Sequence, residues 1–192
     1  MSLSIRTAIT AGVLGACLLA TQAFAAPPGW TVDKAASKLG FKSSFSGMPF
    51  EGGFRQWDAQ IAFDPKDLAG SKVNVVIQMA SATTGDTSRD QSLPSDDWFA
   101  TSQFPRATFT STSFRSLGGD RYQAAGTLTI RGKSVPVVLP FTLDIAGDVA
   151  RMNGQVAINR TAFGVGQGEF ETGDSVPLEV TVLVSITAKR AG

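Results

Sequence analysis

Val176-Pro177-Leu178-Glu179-Val180-Thr181-Val182-Leu183-Val184-Ser185-Ile186-Thr187-Ala188-Lys189 is the stretch that decides the fold. Val176, Leu178, Val180, Val182, Val184 and Ile186 fall on one side of an extended chain. Glu179, Thr181, Ser185 and Lys189 fall on the other, with Leu183 the exception. Successive strand side chains point to opposite faces, so a period of two marks a strand with one apolar face. A slip of one residue would exchange the faces, which specifies the register strongly.

The same rhythm recurs upstream. Met152, Val156 and Ile158 share a face, as do Val135, Val137, Leu139, Phe141, Leu143 and Ile145 before them. Residues 121–130 and 106–114 form two more runs, and Val73, Val75, Ile77 and Met79 alternate with Asn74 and Gln78, Val76 breaking the pattern. Ala59, Ile61 and Phe63 are in step within 54–64, and Leu39, Phe41 and Phe45 within 37–45. Turn signals punctuate the runs at Asp64-Pro65, Gly118-Gly119-Asp120, Arg131-Gly132-Lys133 and Gly147-Asp148. The expectation is an all-β domain of about eight hairpin-connected antiparallel strands, the number that suits a small ligand-holding barrel. Pro136 and Pro140 lie on the less apolar face of their strand and point to an edge, a bulge or a bend there.

One segment departs from the rhythm. Residues 83–104, between the third and fourth strands, carry helix signals: Thr84 as a cap for a turn with Asp86, Arg89 and Asp90, and Ser95 as an N-cap followed by Asp96 and Asp97. Leu93, Trp98, Phe99 and Phe104 are the apolar side chains of this short helical crossover. They either staple it to the barrel or form a lid over an apolar lumen.

The start of the chain reads as an address. Arg6 precedes an apolar run from Ala8 to Ala20, followed by Ala23-Phe24-Ala25. These are the marks of a secretory signal peptide over residues 1–25, leaving one domain over 26–192 and implying export. Leu14-Gly15-Ala16-Cys17 gives a second reading, a lipoprotein anchored through Cys17, against which the apolar stretch from Leu18 to Ala26 stands.

Arg6 is the only charged side chain of 1–25, so residues 26–192 hold 16 basic and 16 acidic groups. A neutral domain lacks the electrostatic footprint of a nucleic-acid binder. It has no cysteine, and the whole chain no histidine. That removes disulfides, thiolate nucleophiles, soft metal sites and the commonest general base, so no enzyme is expected. Asp86, Asp90, Asp96 and Asp97 lack calcium-loop spacing and read as capping and solvated acids, so no metal is assigned.

Alternation alone leaves open which face points inward, because a small outer-membrane barrel shows the same pattern with its apolar side outward. Such barrels carry Trp and Tyr girdles. This chain has three Trp, one Tyr and 13 Phe, several of them within the apolar faces rather than at strand ends.

Read in order, the residues resemble the YceI-like family. The resemblance is carried by Trp30-Thr31-Val32-Asp33 with Ser37 and Gly40-Phe41, by Gly53-Phe54 and Ile61-Ala62-Phe63-Asp64, and by Arg89-Asp90 with Leu93. It continues through Ser95-Asp96-Asp97-Trp98-Phe99, Phe104-Pro105 with Phe109, 126–132, and Arg160 with Phe163-Gly164. The resemblance implies an extended, eight-stranded, lipocalin-like barrel, usually periplasmic, whose apolar tunnel holds a polyisoprenoid such as a prenyl quinone or prenyl phosphate. Many members carry a histidine where this chain has Ala36, so a headgroup contact from that position is not available here.

A buried prenyl chain gains about 0.8 kcal/mol per CH₂, so an apolar tunnel suffices for affinity. The lining expected from the apolar faces is Phe41, Phe45, Phe54, Phe63, Ile77, Phe109, Leu128, Phe141, Val156 and Ile158. Phe163, Val165 and Phe170 flank Gly164, Gly166 and Gly168 and shape one mouth. Arg160 shares the parity of Val156 and Ile158 and points inward if the strand continues unbroken, where a charge needs a carboxylate or a polar headgroup. Arg89 is the second headgroup candidate. No catalytic cofactor is expected, only a bound isoprenoid lipid or quinone. Two roles remain: a lipid carrier, monomeric or homodimeric, or an accessory module presenting a quinone to a membrane redox protein.

Overall fold

The computed structural model describes residues 26–191. The expected leader over 1–25 and the alternative site at Cys17 lie outside the described residues. Eleven strand segments follow: β1 (Gly29–Val32), β2 (Lys38–Phe45), β3 (Met48–Phe54), β4 (Trp57–Ala62), β5 (Lys72–Gln78), β6 (Ala82–Thr83), β7 (Arg106–Gly118), β8 (Arg121–Ile130), β9 (Lys133–Ala146), β10 (Val149–Asn159) and β11 (Glu179–Arg190). They build a closed barrel of eight staves, because β1 with β2, β3 with β4 and β5 with β6 each continue one stave across a short break. β11 closes the ring. It pairs with β10 on one edge, and on the other with β2 along Thr181–Ser185 and β1 along Ala188–Arg190. Every pairing is antiparallel.

Serine hydroxyls replace the ladder where the staves break. Ser37 Oγ donates to Thr187 O (3.2 Å) and accepts from Thr187 N (3.0 Å), bridging the gap between β1 and β2. Ser81 Oγ accepts from Gln56 N at 3.0 Å beside the break between β3 and β4. Backbone groups that would lose their strand partners are thereby satisfied.

The eight expected runs correspond to the eight staves, with local corrections. The second stave begins at Met48, earlier than expected, because Ser46 and Gly47 (φ 47° and 79°) make a two-residue hairpin turn. The last strand begins only at Glu179. Pro177 has no N–H for a ladder, and the Val176 and Pro177 carbonyls accept from Arg160 instead. The helix of the crossover is α1 (Thr87–Ser92), capped by Asp86, whose side chain accepts from Arg89 N, and not by Thr84. Ser95 caps no helix. It accepts from Trp98 N and Ala100 N in a series of turns that ends at Ala100, held at φ 47° and buried.

The β9–β10 ladder stops at Phe141↔Gly154. Pro136 and Pro140 lie beyond that point, where β9 pairs with β8 alone, so the expected edge is there. Inward and outward faces are also settled. Val180, Val182, Val184, Ile186 and Ala188 face the lumen, while Lys38, Lys42, Glu51, Asp58, Lys72, Arg115, Arg151 and Lys189 are exposed outside. A lipid-facing band would not carry these charges, which overturns the membrane-barrel alternative.

Candidate functional site

The lumen consists of two adjoining chambers. The upper one, under the crossover, has a volume of about 450 Å³, and the lower one about 190 Å³. They share Leu39, Ile77, Leu128 and Val182, which form a waist between them. Val180 lines the upper chamber and Ala188 the lower. At roughly 3.3 Å per residue and a tilt of about 40°, those eight steps span roughly 20 Å along the barrel axis.

The structure brings the thirteen lining residues read from the sequence to this lumen. Phe41, Phe45, Phe54, Ile158, Phe163, Val165 and Phe170 border the upper chamber, and Phe63, Phe109, Phe141 and Val156 the lower. Ile77 and Leu128 touch both. Two aromatic rings lie back against glycines, which keeps the bore open. Phe41 covers Gly52, and a Cβ on Gly126 would stand 2.5 Å from the Phe109 ring. The lower end is plugged by aromatics: the Phe63 ring centroid is 5.2 Å from Phe114, 5.9 Å from Tyr122 and 6.3 Å from Phe141. Trp30 fixes the plug by donating from Nε1 to Phe63 O at 2.9 Å.

Arg160 points inward and is 3% exposed, although β10 ends at Asn159 and Arg160 opens a turn of 3-10 helix rather than continuing the strand. Its partner is neither a carboxylate nor free space for a headgroup. Nε donates to Pro177 O (3.0 Å), Nη1 to Val165 O (2.8 Å) and Gly166 O (3.0 Å), and Nη2 to Val176 O (2.8 Å) and Phe170 O. A guanidinium has five N–H donors, and five carbonyls take them. The expected headgroup role of Arg160 therefore gives way to that of a clamp that folds residues 164–178 around itself. A Cβ at Gly166 would collide with that guanidinium, so the glycine is required. Burial pulls the Arg160 pKa below its ordinary value, and the five carbonyl dipoles hold the charged form.

Arg89 sits differently, at the rim of the upper chamber. Nε donates to Thr84 Oγ1 at 3.2 Å, the guanidinium lies 4.8 Å from the Phe50 ring, and Asp86 Oδ2 is 4.0 Å from Nη1. Its neighbour Asp90 is turned away from the chamber to accept from Thr83 Oγ1 (2.6 Å), Thr84 Oγ1 (2.7 Å) and Thr84 N (2.6 Å). The Thr83 hydrogen bond first, then those from Thr84, hold its carboxyl below the usual carboxylate range.

Leu93, Trp98 and Phe99 both anchor the crossover and wall the upper chamber. Phe99 packs at a tilt against Phe54 (6.2 Å between ring centroids) and Trp98 against Phe170 (4.9 Å). Phe104 does not border the lumen. It packs against the Gly132 turn and acts as a staple alone. Backbone bonds tie the crossover down further, with Gly166 N and Gln167 N on Asp97 O (2.7 and 2.8 Å) and Arg131 Nη1 on Asp96 O and Trp98 O (2.6 Å each).

The sequence reading missed the rim. Ser43, Phe50, Thr84, Asp86, Ser88 and Ser92 all border the upper chamber. Phe50 was legible in principle from the Ser46-Gly47 turn, which sets it opposite Ser43 in the ladder. Ala36 lies in the exposed turn after β1, away from the lumen.

A closed antiparallel barrel enclosing a narrow apolar lumen defines a lipocalin-like β-barrel with room inside for an apolar ligand. Within that class, the chain belongs to the YceI-like domain family, which matches residues 30–188. It is 32% identical over 187 residues to a UPF0312 protein of Pseudomonas syringae pv. tomato, covering 92% of this chain and 96% of that one. BcnA of Burkholderia cenocepacia has the same fold, with TM-score 0.79 and 35% identity over 82% of this chain and 99% of its own. A polyisoprenoid binding domain from Saccharophagus degradans, implicated in plant cell wall breakdown, shares the fold at TM-score 0.68 and 16% identity, over 85% of this chain and 99% of its own.

Proposed function

We propose that this chain is a non-catalytic carrier that holds a polyisoprenoid lipid, a prenyl quinone or prenyl phosphate, along the barrel axis. The observation that carries this is the shape of the lumen: two apolar chambers in line, joined at a waist of Leu39, Ile77, Leu128 and Val182. A compact ligand would occupy one chamber only, whereas a flexible apolar chain threads both. Burial at about 0.8 kcal/mol per CH₂ then makes several isoprene units sufficient for tight binding. The fold shared with a polyisoprenoid binding domain supports the same ligand class. The leader read from the sequence supports the periplasm as the compartment of this work.

A second reading, delivery of the lipid to a membrane redox protein, draws on the β2–β3 hairpin. Phe45 and Met48 face each other there, 38% and 69% exposed, and Phe45 borders the upper chamber. The experiment for both is purification from the native compartment, organic extraction and mass spectrometry. A stoichiometric prenyl lipid supports the carrier. A clean extract from folded protein that also takes up no added prenyl lipid overturns it.

A further inference from the structure

Resting on the reading of the lumen as a prenyl-lipid site, we infer that the upper chamber selects an uncharged, planar headgroup bearing hydrogen-bond acceptors, and that Asp86 is the residue that excludes anionic ones. The two chambers differ in width and in lining. The upper is more than twice the volume of the lower, so the wider part of the ligand, its head, belongs there. Its aromatic collar fits a flat ring: Phe41 stands 6.5 Å from Phe50 and 5.6 Å from Phe54, and Phe54 6.2 Å from Phe99. Flat rings gain from such stacking beyond area burial.

Of the described residues that line the two chambers, those with polar side chains and capacity to spare lie at the rim of the upper one. Ser43 Oγ is buried and has no hydrogen-bond partner, and an orphaned hydroxyl costs about 1–3 kcal/mol until something pairs with it. Ser43 lies across the ladder from Phe50, and the Arg89 guanidinium lies over the Phe50 ring at 4.8 Å. Arg89 makes one hydrogen bond through Nε and leaves its terminal nitrogens without one. Ser43 and Arg89 thus both offer donors beside Phe50 in the upper chamber, which suits a carbonyl-bearing ring such as a 1,4-quinone.

The charge at the rim argues against a phosphate or diphosphate. Asp86 borders the chamber and stands 4.0 Å from the Arg89 guanidinium, so the pair is formally neutral and an anion entering it meets a carboxylate. Like-charge juxtaposition is how a site rejects a ligand that its shape would admit. Arg160 offers such an anion no hydrogen bond, because its five donors are already taken by carbonyls and Trp98 lies over it at 5.8 Å.

The test compares geranylgeranyl-1,4-benzoquinone with geranylgeranyl diphosphate, which share a tail, by titration of lipid-extracted protein. Asp86→Asn keeps the N-cap of α1, since asparagine caps as well as aspartate, and removes only the charge. The expected result is at least tenfold tighter binding of the quinone. Asp86→Asn should then narrow that ratio several-fold by improving the diphosphate, and Ser43→Ala should weaken the quinone several-fold. Equal or tighter binding of the diphosphate overturns the inference and leaves the carrier reading intact. A quinone preference that Asp86→Asn leaves unchanged overturns the role of Asp86. Binding of neither lipid overturns the carrier reading itself.

Discussion

Replacing Arg160 with methionine, which fills nearly the same volume without donors, removes five hydrogen bonds at once and leaves the carbonyls of Val165, Gly166, Phe170, Val176 and Pro177 facing an apolar side chain. Each bond to a charged donor contributes about 1.5–3 kcal/mol, but these values do not add. Residues 164–178 can open and let water reach the carbonyls, which caps the loss at the free energy of that local opening. The resulting destabilisation is about 3–5 kcal/mol, the size seen when one partner of a buried charged contact is deleted. For a domain of this length, 1 kcal/mol moves Tm by about 2–4 °C, so Arg160→Met should melt roughly 6–20 °C below the parent. Arg160→Lys should recover part of the loss, because an ammonium reaches at most three acceptors from a single point. Urea denaturation of lipid-free protein measures the energy, and amide exchange over 164–178 locates it. A methionine variant within about 1 kcal/mol of the parent, or one whose 164–178 amides stay protected, would refute the clamp.

Further outcomes follow from other parts of the lumen. Leu128→Trp should block the waist and abolish the affinity gained when the prenyl tail is lengthened, while short-tailed analogues still bind. Isothermal titration across a tail-length series checks this, and an unchanged length dependence counts against a through-going lumen. Gly126→Ala drives a methyl into the Phe109 ring and Thr110 O (2.5 and 2.6 Å), so it should destabilise by about 1–3 kcal/mol and weaken prenyl-lipid binding by narrowing the bore. Thermal melting with and without lipid reports both effects. Asp90 has a carboxyl pKa lowered by Thr83 and Thr84. Its stabilisation is complete above the ordinary carboxylate pKa near 3.8 and is lost as pH falls through the depressed folded value. Acid unfolding monitored by circular dichroism should therefore lose part of its steepness at the acid end in Asp90→Asn.

Much of this architecture was readable because period-two patterning is a direct image of a barrel wall. Every inward residue of β11 from Val180 to Ile186 could be named from alternation, and the parity of β10 pointed to Arg160 although the strand stops one residue before it. What parity could not supply was the partner. An inward arginine implies compensation, but carbonyls from a loop 5 to 17 residues further on carry no side-chain signature. The breaks in the first three staves were equally hidden, because Ser37 and Ser81 look like ordinary polar residues until their hydroxyls are seen replacing ladder bonds. The rim escaped for a related reason. Thr84, Asp86 and Ser88 lie in a segment without period, and only its tethering to 164–167 and Arg131 sets which of its side chains meet the chamber.

The seam between β9 and β10 has a consequence for how copies of the chain behave toward one another. Leu143 N donates toward the β8 side, to Asp120 O. N–H groups alternate along a strand, so even-numbered residues of β9 aim theirs at the seam. Pro136 and Pro140 are two of those positions, and neither has a hydrogen to offer. A stretch that would otherwise be a raw template, with exposed Val138 at its centre, is left with interrupted donors on both sides of that valine. A strand from a neighbouring copy therefore meets no continuous row of donors along this line, and the seam resists the self-templating growth that bare edges invite.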